Sequence, residues 1–155
     1  MSGQIDARLQ ELGITLPEAA APAANYVPYV QSGSLLFVAG QIPFWNGELN
    51  HKGILGRDVD IDAGYEAARV SGLNLIAQAR AALGGDLDRV SRVVKLVGLV
   101  ASTPDFTDHP KVVNGASDLM VEVFGEAGQH ARFAAGAAAL PLGCSVEVDG
   151  IFEVR

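Results

Sequence analysis

The chain has 155 residues, of which 49% are hydrophobic and 19% charged; eleven Lys and Arg against eighteen Asp and Glu give a formal charge of −7. A chain of that size makes one domain and buries about two-thirds of its unfolded surface, so a core needs no covalent staples, and the single cysteine, Cys144, excludes a disulfide framework and a multi-cysteine metal site. The acidic balance opposes phosphate backbones and anionic lipid, which argues against nucleic-acid and membrane-surface partners.

Residues 4–12 read as a short amphipathic helix with Ile5, Leu9 and Leu12 on one face, stopped by Gly13. Residues 17–25, rich in Pro and Ala, form an extended arm. Residues 29–31 and 35–39 pattern as a hairpin around Ser32-Gly33-Ser34, and residues 42–44 with Leu49 continue the sheet through the Asn46-Gly47 turn signal. From 62 to 83 the period becomes helical. Ala68, Gly72, Leu75, Ile76, Ala79 and Leu83 form the stripe, Glu66, Arg69, Gln78 and Arg80 lie off it, and Gly84-Gly85 ends the helix. Residues 90–101 are a β-branched run that predicts a central strand. A polar loop over 102–109 leads to Pro110 in the first turn of a second helix, which ends near Phe124 and places Val112, Val113, Ala116, Met120 and Val123 inward. Gly115 within that helix costs about 1 kcal/mol relative to Ala. Residues 132–140 and 145–154 are the last strands, the second with clear alternation.

This order predicts an α+β sandwich in which two long helices cover one face of a six-stranded mixed sheet. The strands are apolar on both sides, the mean hydropathy is +0.24, and nothing within the chain is left to cover the second face. A second copy of the chain in a symmetric homo-oligomer would cover it. Residues 1–6 carry no signal-peptide pattern, and the apolar stretch 133–142 is half of the ~20 residues a bilayer requires. The expectation is a soluble, cytoplasmic protein.

Few residues suggest chemistry on their own. His51, His109 and His130 lie far apart in sequence without acidic or cysteine neighbours at ligand spacing, so no metal site is expected. Cys144 reads as a small buried hydrophobe rather than a nucleophile. No phosphate loop, dinucleotide fingerprint or nucleophile elbow is present, and no cofactor is expected. Arg132 stands out, because eight residues without a charge follow it. If residues 140–144 are a turn, Arg132 and Glu147 come from neighbouring antiparallel strands, either as a cross-strand ion pair or as a carboxylate clamp with an acid/base partner.

Ala131-Arg132, Leu140-Pro141 and Val146-Glu147-Val148, in that order, resemble the C-terminal signature of the RidA/YjgF (endoribonuclease L-PSP) family. Pro28-Tyr29-Val30-Gln31, Val38-Ala39-Gly40-Gln41-Ile42-Pro43 and Asp105-Phe106 match in family order too. The resemblance covers residues 26–155, preceded by a 1–25 segment of short helix and arm, as in a longer subgroup of the family. It implies a chorismate-mutase-like fold and a homotrimer with clefts between subunits. The implied activity is hydrolysis of 2-imino acids or their enamine tautomers to 2-keto acids and ammonia without a cofactor. Arg132 would grip the substrate carboxylate, Glu147 would handle water or the proton, Tyr29 would close the cleft, and Gly40, Asn114 and Phe133 would line it. Three positions depart from the common pattern: Ala39 stands where a hydroxyl is frequent, Ala134 where a polar or sulfur side chain is, and His130 where a proline is. Two other readings stay open. One is a trimeric small-carboxylate-binding or regulatory protein without turnover; the other, a ribonuclease, is opposed by the acidic charge.

Overall fold

A computed structural model describes residues 3–155; Met1 and Ser2, the first two residues of the 1–25 segment, lie outside the described residues. In chain order the elements are α1 (Gln4–Glu11), β1 (Tyr29–Ser32), β2 (Leu35–Gln41), β3 (Phe44–Trp45), β4 (Glu48–Leu49), α2 (Ile61–Ala82), β5 (Val90–Ala101), α3 (His109–Phe124), β6 (Ala131–Ala137) and β7 (Val146–Val154). The main sheet has five strands in the order β1-β2-β7-β5-β6, antiparallel except for the parallel pair β5–β6. The architecture is mixed α+β, but the sheet has five strands, not six. Strands β3 and β4 pair only with each other, because the chain turns sharply at Asn46 and Gly47 (φ 48° and 88°).

Helices α2 and α3 pack side by side on one face. Val93, Leu96 and Val100 of β5 and Val146, Val148 and Phe152 of β7 are fully buried beneath the helix layer. Helix α2 buries twelve of its 22 residues, far more than one stripe. Gln78, expected off the stripe, is 1% exposed, because the 17–25 arm lies over it and its Nε2 donates to Ala20 O at 2.6 Å. Gly115 explains itself here. A Cβ on it would run into the Tyr65 carbonyl, so the missing side chain lets α3 press against the backbone of α2.

Helix α1 has no side-chain cap of its own. The Asp88 carboxylate supplies one from 84 residues away, accepting the backbone N–H groups of Gln4 and Ile5, each at 2.9 Å. These two donors hold the Asp88 carboxyl below the usual carboxylate range.

Opposite the helix layer, among the described residues, no helix lies on the sheet. Lys95, Val97, Leu99, Phe133, Asp149, Ile151 and Phe37 alternate onto this face, with Phe37 41% and Phe133 53% exposed. No helix of the described residues is long and apolar enough to cross a membrane.

Candidate active site

The structure separates Arg132 from Glu147. Strands β6 and β7 do not form a hairpin; β5 lies between them, pairing Arg132 with Leu96 and Glu147 with Leu99. The five residues 140–144 do not fold one strand back beside the other. They form a 3₁₀ turn at Pro141–Gly143, with Leu142 and Gly143 at positive φ, that carries the chain past β5. Leu96 is buried beneath the helices, so Arg132 shares the helix-facing side, whereas Glu147 alternates with buried Val146 and Val148 and faces the other way. The cross-strand ion pair is therefore ruled out within one chain.

Arg132 reaches α3. Its Nη1 donates to Asn114 Oδ1 at 2.7 Å and to Ser117 Oγ at 3.2 Å, and its Nη2 donates to Pro110 O at 3.3 Å. All three acceptors are neutral, and among the described residues no carboxylate pairs with this guanidinium. The Nε–H and one Nη2 hydrogen are left over, two donors for the two oxygens of a carboxylate.

Behind Arg132 runs a second line of bonds. His130 Nδ1 lies 2.6 Å from Gly128 O and its Nε2 lies 2.8 Å from Ser117 Oγ. A carbonyl only accepts, so Nδ1 carries the hydrogen. In the neutral ring Nε2 then accepts from the Ser117 hydroxyl, whose lone pairs face Arg132. His130, an unusual residue at this point of the pattern, thus orients the hydroxyl that steadies Arg132. The sequence marks His130 only as a departure from the family pattern and gives Ser117 no role, because a hydrogen-bond chain between a helix and a strand has no spacing signature.

Gly40 and Glu147 meet on the other side. A Cβ at position 40 would collide with Glu147 Oε1, so the glycine is what admits the carboxylate next to the β2 backbone. A cavity of about 160 Å³ opens there, lined by Gly40, Gln41, Ile42, Phe44, Leu142, Glu147 and, from the arm, residues 20–23 and Tyr26. Burial first, and then the Asp149 carboxylate, push the Glu147 carboxyl above its ordinary value. Nearby Cys144 is fully buried, and desolvation pushes its thiol to about 11, which makes it inert.

The remaining expected residues divide between these places. Asn114 sits with Arg132. Phe133, next to Arg132 in sequence, points to the opposite face beside Val97. Tyr29 lines a separate groove of about 470 Å³ with Lys95, Asp149 and Ile151, whereas Tyr26 borders both that groove and the Glu147 cavity. At the far end of β6, Ser102 Oγ and His109 Nε2 lie 3.1 Å apart beside a third cavity, the imidazole standing edge-on to Phe106. Among the described residues no group of three or more His, Cys, Asp or Glu side chains could hold a metal ion.

Comparison with known proteins places these features in a family. Residues 6–153 match the family described as "YjgF/chorismate_mutase-like, putative endoribonuclease". Protein TCP17 of Trypanosoma cruzi is 53% identical over 155 residues, covering 99% of this chain and 96% of that protein. The crystal structure of Atu1372 from Agrobacterium tumefaciens, a protein of unknown function, is 50% identical with a TM-score of 0.91, over 97% of this chain and 92% of that one. A Shewanella oneidensis protein described as a "putative endoribonuclease" is 39% identical with a TM-score of 0.94, over 98% and 100%. The chain belongs to the YjgF/chorismate mutase-like family.

Proposed function

We propose that the protein hydrolyses reactive 2-imino acids, or their enamine tautomers, to 2-keto acids and ammonia. The observation that carries this reading is the unpaired Arg132 guanidinium, held by three neutral acceptors with two donors to spare. It is a socket for a small carboxylate. Escherichia coli TdcF, a structural neighbour with 25% identity and a TM-score of 0.60 over 90% of this chain and 93% of that one, is described with serine bound. Serine is a small molecule with such a carboxylate.

Glu147 supplies the proton chemistry. Its raised proton affinity, from burial and the Asp149 carboxylate, suits a group that must both take and give a proton. Water adds through oxygen to the imine carbon, and Glu147 removes the water's proton and delivers it to the imine nitrogen. Glu147 then carries the carbinolamine's hydroxyl proton to its amino nitrogen, the C–N bond breaks as the carbonyl forms, and ammonia leaves the keto acid behind. The imine carbon is already electrophilic, so orientation and one acid/base group suffice.

Arg132 and Glu147 face opposite sides of the sheet, so this chemistry requires the Arg132 of one subunit to meet the Glu147 of another. The open sheet face, with Phe37 and Phe133 exposed, is the surface a homotrimer would cover. The test is direct: a pyridoxal-dependent dehydratase generates 2-aminoacrylate in situ, and keto acid and ammonia are followed with and without this protein. Release at the spontaneous rate, with Arg132→Ala indistinguishable from wild type, would reject the reading.

A further inference from the structure

The cavity beside Glu147 has an apolar side that the reaction itself does not use. The arm residues Ala20, Ala21, Pro22 and Ala23 line it together with Ile42, Phe44 and the exposed Leu142. Among the described residues, Glu147 is the only charged group on its walls. The arm is fixed rather than draped. Gln78, 1% exposed within α2, donates to Ala20 O at 2.6 Å, and Glu18 N–H donates to Asn46 Oδ1 at 2.9 Å.

We propose that this arm-lined chamber receives the side chain of the substrate and selects 2-imino acids whose side chain is uncharged and of branched-aliphatic to phenyl size. The proposal rests on the deaminase reading and names its substrate class. At about 160 Å³ the chamber matches the ~150 Å³ apolar cavity that accommodates benzene in another protein. A methyl group leaves most of it empty; an isobutyl or phenyl group fills it and gains the burial energy of its carbons. A carboxylate side chain would lose its hydration against alanine and proline walls and would meet the Glu147 charge as well. Glu147 is itself part of the chamber wall, so a group held there lies beside the residue assigned to the proton transfer. The four arm residues have short or ring-closed side chains, and one larger side chain among them occupies the space.

The experiment compares kcat/KM for imines generated in situ by an amino-acid oxidase from leucine, alanine and glutamate. The full-length chain is used, as wild type, Ala21→Leu and Ala23→Leu. For the wild type the leucine-derived imine should be hydrolysed at least tenfold more efficiently than the glutamate-derived one, and more efficiently than the alanine-derived one. Either arm substitution should lower the leucine-to-alanine ratio about tenfold, the scale on which a pocket senses one or two methylenes. Hydrolysis of all three imines at similar efficiency, or a ratio that both variants leave unchanged, would overturn the chamber assignment while the deaminase reading stands. Acceleration of none of the three would reject both.

Discussion

Glu147 is half-buried, faces Asp149 two residues on, and has the β2 backbone at Gly40 against it. Its proton affinity is raised, so its charged form is less stable folded than unfolded. For such a group the stabilising contribution is full below the unfolded pKa and disappears as pH rises through the folded one. Glu147→Gln should therefore raise the melting temperature at pH 7, with the gain vanishing in acid; thermal melts across pH check it. The same variant should lose about 10²–10⁴ in turnover with ligand binding largely kept, since an amide cannot accept the proton. Steady-state kinetics and binding of the product keto acid, measured on one preparation, separate this from a passive binder, which would be little changed. At Arg132 the prediction is geometric. Arg132→Lys should abolish carboxylate recognition, because an ammonium cannot form two parallel bonds. Ser117→Ala should raise KM with a smaller effect on kcat, and steady-state kinetics read that split directly.

Among the elements, β5 was legible to the residue: its β-branched run predicts 90–101 and the strand is Val90–Ala101. The long helices and the Asn46-Gly47 turn were legible as well, each from local chemistry. Strand order was not. Arg132 and Glu147 fall fifteen residues apart around a short turn, a spacing a hairpin would satisfy, and only the helix layer and the β5 interior show that β6 runs parallel at the edge. The pairing of Gly40 with Glu147 was missed for a like reason, as it joins two strands 107 positions apart. Helix contacts give their own predictions. Gly115→Ala should destabilise the fold by about 1–3 kcal/mol despite alanine's better helix propensity, because the Tyr65 carbonyl occupies the space of the new methyl; denaturant unfolding measures it. Asp88 works opposite to Glu147. Its depressed pKa means that the cap it gives α1 is present above the unfolded pKa and is lost as pH falls through the folded one. Asp88→Ala should cost about 1 kcal/mol at pH 7, the usual value of a helix cap, and progressively less as acid protonates the carboxylate.

At the scale of the molecule, a sheet covered by helices on one side carries exposed Phe37 and Phe133 on the other, a face with no partner among the described residues. The two halves of the candidate site point away from each other, Arg132 and Asn114 toward the helix layer and Glu147 and Gly40 toward the open face. The proposed homotrimer would reconcile both facts by setting one subunit's arginine against the next subunit's glutamate. Subunit mixing tests that claim most directly. Arg132→Ala and Glu147→Ala should each be inactive alone. When the two are unfolded together and refolded as mixed trimers, each mixed trimer contains one cleft with both native side chains. Random mixing in equal amounts then restores about a quarter of the wild-type deaminase activity, as the geometry of a closed ring requires. No recovery in trimers whose mixed composition is verified by mass spectrometry would contradict a site shared between subunits.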